Sequence, residues 1–162
     1  MIFLTVGTQK FQFDRLLEAV DRLIDQRIIQ DTVIAQSGHS TYVPRNYQAK
    51  PFLEPAEFEE QMKNCDLLIA HGGLNTILNG LSAQKKMIVV PRKKIYSEHV
   101  DDHQKEIADK FEEMGRICVC REISELGDCY KHIRSSTMVP AEIRLHYSNT
   151  AEFINKYLEE LR

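Results

Sequence analysis

Residues 66–76 read DLLIAHGGLNT, an apolar run followed by a pair of glycines and small polar residues. The apolar run has the length and composition of a buried parallel strand. Apolar residues then recur at helical spacing, so the stretch predicts a strand, a tight turn and the start of a helix. Glycines let the backbone approach a ligand closely, and the free N–H groups of a helix's first turn favour anions. The stretch matches neither G-x-G-x-x-G nor a Walker loop, so a plain helix cap by Asn75 or Thr76 is the alternative.

A second loop of the same kind lies at the start of the chain. Residues 2–6 form an apolar strand that ends in Gly7 and Thr8, and an amphipathic helix over 13–24 follows. Similar patterns predict strands at 32–35, near 47–52, at 87–90 and at 117–120, and helices at 57–62, 100–114, 123–133 and 149–161. Because strands and helices alternate, we expect an α/β fold. It should be a Rossmann-like, doubly wound parallel sheet in a single domain over residues 1–162.

Three glycine-bearing turns follow the carboxyl ends of predicted strands, at Gly7, at Gly38 and at Gly72 with Gly73. In a doubly wound sheet such turns share one edge, which is where ligands bind. A nucleotide diphosphate held by helix ends, without a metal ion, is the ligand that we expect there.

Composition restricts the class of partner and the compartment. The formal net charge is -3, so the basic surface typical of nucleic-acid binders is missing, and we expect no nucleic-acid partner. Four cysteines, Cys65, Cys118, Cys120 and Cys129, include no C-x-x-C pair and are expected to be small core residues in a reducing cytosol. The sequence shows neither an apolar stretch of membrane-spanning length nor a leader pattern, so we expect a cytoplasmic protein.

The stretch YSEHVDDHQKEIA at 96–108 contains two histidines, His99 and His103, and two aspartates. Histidines four residues apart, without a matched carboxylate partner elsewhere, are a weak metal signal, so we expect no metal site. Asp101 and Asp102 are also explained by the dipole of a helix's first turn. The alternative for both histidines is an ordinary solvated surface position.

Gln104 is harder to explain as a surface residue. In the predicted helix it shares a face with Val100 and Ile107. A polar side chain at that place should point along the carboxyl edge of the sheet, where it can bind sugar hydroxyls.

Taken together, TVGT at 5–8, HGGLNT at 71–76 and HQKEIA at 103–108 resemble the C-terminal half of glycosyltransferase family 28. That family includes the MurG-like enzymes and the small subunit of the two-subunit dolichol-linked N-acetylglucosamine transferase. The resemblance extends to about residue 120 and is closest to the PssE and EpsF type of exopolysaccharide and capsule subunits. It implies the nucleotide-sugar half of a GT-B enzyme, whose active site lies between two Rossmann-like domains. The donor substrate would be a UDP-sugar, with no separate cofactor.

The resemblance also implies roles for the site residues. Three groups would bind the donor: Gly7 and Thr8 beside the phosphates, Gly72, Gly73, Asn75 and Thr76 at the diphosphate, and His103 and Gln104 at the sugar.

Asn79 departs from the pattern of the family. The family usually carries a glutamate at this position that binds the ribose hydroxyls, and an amide lacks the charge-assisted strength of a carboxylate. The general base is thought to come from the other domain in MurG-like enzymes. Here His71 and His99 are candidates by residue type alone, and His99 matches a histidine five residues before the glutamine in such chains.

Because the chain contains only one of the two domains, the resemblance implies a partner. This would be a membrane-anchored PssD-like subunit that presents a lipid-linked sugar acceptor, so that the chain sits at the inner face of the membrane. Transfer would be an inverting direct displacement, with helix dipoles stabilising the departing UDP. The alternatives are a non-catalytic activator or assembly protein, and a stand-alone nucleotide-binding enzyme such as an epimerase.

The predicted last helix, 149–161, is a candidate for docking to that partner. Its apolar stripe consists of Phe153, Ile154, Tyr157 and Leu158. The alternative is that the helix packs on the sheet of its own chain.

Overall fold

Short runs of aliphatic and β-branched residues build a parallel sheet at the centre of the protein. The computed structural model describes residues 1–115 and 117–136. Within them the sheet has six strands: β1 (Ile2–Thr5), β2 (Val33–Gln36), β3 (Gln48–Lys50), β4 (Leu67–His71), β5 (Lys86–Val90) and β6 (Cys118–Val119). Their order across the sheet is β3-β2-β1-β4-β5-β6, and every pair is parallel.

The register brings the carboxyl ends of the central strands to one edge. Thr5, the last residue of β1, lies between Gln36 of β2 and Ala70 of β4. The chain first adds β2 and β3 on one side of β1 and then adds β4, β5 and β6 on the other side. The strand order therefore reverses between β1 and β4. This switch point is the place where doubly wound sheets bind ligands.

Helices cover both faces of the sheet: α1 (Asp14–Asp25), α2 (Pro55–Asn64), α3 (Leu74–Ser82), α4 (His103–Glu113) and α5 (Leu126–Ser135). Helices α1 and α5 pack over one hydrophobic core, and α2, α3 and α4 pack over the other. Alternate residues of β1 enter opposite cores, Leu4 the first and Phe3 the second, which explains why the central strands β1 and β4 are almost entirely apolar, whereas β3 at the sheet edge is polar and mostly exposed. The predicted α/β, doubly wound parallel sheet is confirmed.

Several predicted elements differ from the structure by one or two residues at an end, and two helices differ more. Helix α4 begins at His103 and not at 100, because Asp102 is its N-cap and accepts a hydrogen bond from Lys94 N at 2.9 Å. Val100 therefore lies outside the helix and is 61% exposed, and it shares no helical face with Gln104. The predicted helix 123–133 is a 3-10 turn, Ile123–Glu125, that continues into α5.

The predicted helix 149–161 lies outside the described residues. Among the helices that the structure describes, none is long and apolar enough to cross a membrane.

A candidate binding cleft at the sheet edge

A cleft of about 680 Å³ opens at the switch point between β1 and β4. Its walls come from the loops after these strands, the start of α2 and the first turns of α3. Seven residues predicted for the site line it: Gly7, Thr8, His71, Gly73, Asn75, Thr76 and Asn79. The structure thus brings the two predicted glycine loops together, although they are far apart in the sequence.

The imidazole of His71 fills the space between the two glycine loops. A Cβ atom on Gly7 would lie 2.5 Å from His71 Cε1, and one on Gly73 would lie 2.3 Å from His71 Nε2. Gly7 also has a φ of 77°, which favours glycine, whereas Gly73 has an ordinary φ of -75°. Gly73 is therefore required by the neighbouring ring and not by its own backbone conformation.

His71 is held in its neutral form. Burial lowers its pKa from 6.5 to about 4, and the positive charge of Arg92 acts in the same direction. Its Nδ1 atom is buried without a hydrogen-bond partner among the described residues. A neutral imidazole adds no positive charge to the cleft, so an anion there depends on backbone N–H groups and on the dipole of α3.

The N-terminus of α3 faces the cleft without a side-chain cap. Gly73 is the N-cap and has no side chain, while Asn75 and Thr76 lie inside the first turn. The alternative that one of them caps the helix is therefore wrong. The first turn contains no acidic residue, so its N–H groups are left for an anion in the cleft.

Gln104 lies at the carboxyl edge of the sheet, as predicted, but its side chain binds backbone N–H groups. Only 4% of the residue is exposed, and its Oε1 accepts hydrogen bonds from Gly72 N at 3.1 Å and from Arg92 N at 3.2 Å. Gly72 is packed against it, because a Cβ there would lie 2.8 Å from the Gln104 backbone oxygen. Neither residue lines the cleft. Gln104 thus fixes the loop after β4 to the end of β5, and a contact with a sugar stays a prediction.

The other two histidines predicted for the site, His99 and His103, do not line the cleft. His103 is partly exposed, and its Nδ1 lies 3.4 Å from Glu106 Oε2. His99 pairs through Nδ1 with Asp101 Oδ1 at 2.9 Å, and its ring contacts Phe11 with centroids 5.8 Å apart. The sugar-binding role of His103 and the general-base roles of His71 and His99 stay predictions. In the described ranges, no group of three or more histidine, cysteine or acidic side chains is arranged to hold a metal ion.

A buried ionic cluster that the sequence did not predict lies beneath the loops. Arg92, 1% exposed, donates to the carbonyl oxygens of Val6, Phe11, Gln12 and Glu98 at 2.6–3.1 Å. Its Nη2 bond to Val6 holds the backbone just before Gly7. Burial lowers the pKa of Arg92 to about 10, but the guanidinium remains charged at neutral pH.

Glu98 completes this cluster. It is fully buried and accepts hydrogen bonds from Arg15 Nε at 2.8 Å and Nη2 at 2.9 Å, and from Lys93 N at 2.9 Å. The sequence offers one signal for the cluster, an arginine directly after Pro91 at the end of a strand.

The sequence also did not predict the far wall of the cleft, which is built around Gln36. Gln36 accepts a hydrogen bond from Leu53 N at 3.1 Å, and its Nε2 lies 3.4 Å from Thr5 Oγ1. This glutamine joins the segment before α2 to β1. Helix α2 then contributes Phe58 and Glu59 to the cleft.

Comparisons with known proteins agree with this geometry. The family model described as glycosyltransferase family 28 C-terminal domain matches residues 1–156. The UDP-N-acetylglucosamine transferase subunit ALG13 of Mus musculus is 28% identical over 136 residues. That alignment covers 75% of this chain but 11% of the mouse protein, so the chain spans about a tenth of the length of this curated relative.

Solved structures show the same fold. The crystal structure of Acinetobacter baumannii MurG matches with a TM-score of 0.63 and 19% identity, covering 95% of this chain and 49% of that chain. A solution structure of ALG13 matches with a TM-score of 0.62 and 21% identity, covering 91% of each chain. The sheet and its helices are thus those of one half of a GT-B glycosyltransferase.

Proposed function

The chain belongs to the glycosyltransferase family 28 C-terminal domain family, and from this we propose that it is the UDP-sugar-binding subunit of a two-component glycosyltransferase. The observation that carries the proposal is the uncapped N-terminus of α3, which faces a cleft between the glycine loops of β1 and β4. A diphosphate fits that end because its charge is opposite to the helix dipole.

The need for a second component is supported by the names of the matched relatives. The proteins of Mus musculus and Candida glabrata that this chain resembles are both described as subunits of a UDP-N-acetylglucosamine transferase. In this proposal a membrane-anchored, PssD-like subunit supplies the other half of the active site. It presents a lipid-linked sugar acceptor, and the complex works at the inner face of the cell membrane.

The proposed reaction is an inverting transfer of a hexose in exopolysaccharide or capsule biosynthesis. The first turn of α3 stabilises the negative charge that develops on the departing UDP. His71 is neutral at pH 7, so it leaves the cleft without an extra fixed charge. The general base is assigned to the partner.

Donor binding is tested with the variant Asn75→Asp. Both side chains have nearly the same size, but aspartate adds a negative charge to the first turn of α3, where it favours the helix and repels a diphosphate. We expect UDP affinity, measured by calorimetry, to fall about tenfold or more with no loss of thermal stability. Asn64→Asp is the matched control, because it adds the same charge at an exposed residue at the end of α2, outside the cleft. UDP binding that is unchanged in Asn75→Asp would show that the diphosphate does not lie at this helix end.

The partner is tested by co-expression with a candidate membrane subunit, followed by transfer assays with each chain alone and with both. Activity that requires both chains supports the proposal. Removal of residues 149–162 should leave UDP binding intact and abolish both capture of the partner and transfer. Equal capture by the shortened chain would contradict the docking role of 149–161.

A non-catalytic activator is the second candidate, and Asn79 favours it. That reading predicts a chain that stimulates its partner and fails to bind UDP.

A further inference from the structure

The cleft continues into a groove between α2 and α3. A second cavity of about 470 Å³ shares Phe58, Glu59 and Asn79 with the first. A ligand whose charged end lies at the first turn of α3 therefore has room to extend along this groove.

The polar groups that line the two cavities change along the groove. The first turn of α3 offers N–H groups and no acidic residue. Glu59 lies where the two cavities meet and is the one carboxylate that lines either of them in the part of the chain that the structure describes. Beyond it, Lys63 and Lys85 line the second cavity, and Lys85 Nζ donates to the backbone oxygens of Lys63 and Cys65. Asn79 lies about 7.5 Å beyond Leu74 along the axis of α3, by the rise of 1.5 Å per residue. An anionic group is thus favoured at the first turn of α3, and hydrogen-bond donors such as hydroxyls are favoured beside Glu59.

Helix α2 is anchored to the core by residues on either side of Glu59, whose own carboxylate is left without a partner in the described residues. Phe58 packs edge-on against Phe3, with ring centroids 5.1 Å apart, and Met62 one turn later is buried. Glu57 is engaged by Lys50 Nζ at 2.7 Å. Glu59, by contrast, is exposed and makes no ion pair or side-chain hydrogen bond within residues 1–115 and 117–136.

We propose that the carboxylate of Glu59, with the amide of Asn79, binds the vicinal hydroxyls of the donor's ribose, which rests on the proposed function. A carboxylate accepts hydrogen bonds from both hydroxyls of a diol, and such bonds are stronger than those to a neutral amide. Helix α2 thereby supplies the negative charge that Asn79 of α3 does not. Glu59 is a binding residue that orients the nucleotide with its diphosphate toward α3.

The experiment compares UDP, 2′-deoxy-UDP and pyrophosphate by calorimetry in the wild type, in Glu59→Gln and in Glu60→Gln. Glu60 is the matched control, because it is an exposed neighbour on α2 that lines neither cavity. We expect the wild type to bind UDP about tenfold more tightly than 2′-deoxy-UDP. Glu59→Gln should lose most of that difference through weaker UDP binding, and Glu60→Gln should keep it.

Pyrophosphate separates hydroxyl recognition from bulk charge. Removing one negative charge from the groove should leave pyrophosphate affinity unchanged or slightly raised. If Glu59→Gln binds UDP as tightly as the wild type or more tightly, then Glu59 does not bind the ribose and the inference is wrong. If the wild type binds pyrophosphate but shows no preference for UDP, the nucleotide-binding function itself fails, which is a different result.

Discussion

Acidification to pH 5 should destabilise the protein through a single buried side chain, His71. Its pKa is about 4 in the folded protein and 6.5 in the unfolded chain, because burial and Arg92 disfavour the imidazolium. Between these two values the unfolded chain binds more protons than the folded protein. The stability that depends on neutral His71 is therefore complete above pH 6.5 and is lost progressively as the pH falls toward 4.

The two pKa values give the size of the effect. Between pH 7.5 and pH 5.0, protonation of the unfolded chain at this one residue lowers the free energy of unfolding by about 2 kcal/mol. Protonation of carboxylates lowers the free energy of unfolding mainly at a lower pH than protonation of His71 does. Asp21 is an example: burial raises its pKa, but hydrogen bonds from Arg45 N, Tyr42 and Asn46 lower it below 3.8 overall.

Urea unfolding of the wild type and of His71→Gln at intervals from pH 7.5 to 5.0 measures the difference. The variant should begin less stable, because it disturbs the packing against Gly7 and Gly73, but it should lose about 2 kcal/mol less than the wild type over this range. His132→Gln, at an exposed histidine, is the control and should follow the wild type. Parallel pH curves for the wild type and His71→Gln would refute the claim that His71 is buried in the neutral form.

Three further perturbations address the supports of the cleft. Glu98→Ala removes the acceptor of Arg15 and Lys93 N, so it should lower the free energy of unfolding by about 3 kcal/mol in urea titrations, and an unchanged midpoint would contradict the buried pairing. Gly73→Ala should lower the thermal midpoint, because the new Cβ meets the His71 ring, and adding His71→Ala should recover part of the loss. No recovery would mean that another contact excludes the methyl group. Gln104→Ala should lower the free energy of unfolding by about 2 kcal/mol and weaken UDP binding, because the N–H groups of Gly72 and Arg92 lose their acceptor. Gln104→Glu keeps an acceptor and should retain most of the stability. Equal losses of stability in the two variants would argue against this role of Gln104.

The sequence predicted the alternation of strands and helices well, since buried parallel strands are apolar on both faces. Residues 66–76 contain the strand, the turn and the helix start in one stretch. The pattern of alternating strands and helices also predicted that the loops of Gly7 and Gly73 lie at the same edge of the sheet, because the carboxyl ends of parallel strands share an edge. Seven of the predicted site residues line the cleft for this reason.

The remaining features depend on contacts between distant residues. Nothing in the local pattern shows that Gln104 accepts hydrogen bonds from Gly72 and Arg92, or that Glu98 is buried, because charged and amide side chains are usually solvated. The start of α4 was misplaced because apolar Val100 fits helical spacing, while the cap at Asp102 uses a bond to Lys94 N in the preceding turn. Glu59 was not predicted, because the sequence does not distinguish it from the other acidic residues of α2.

The position of β1 between β2 and β4 has a consequence for synthesis on the ribosome. Gly73 follows Gly7 by 66 residues and comes after β4, so one side of β1 stays unpaired until β4 has been synthesised. Pairing over such a long stretch of chain is slow compared with local helix formation. The wall between the two glycine loops thus forms only after β4 has paired with β1. A nascent chain that captures a ligand in the cleft has passed that step, and a ligand present during translation would hold the newly closed sheet together.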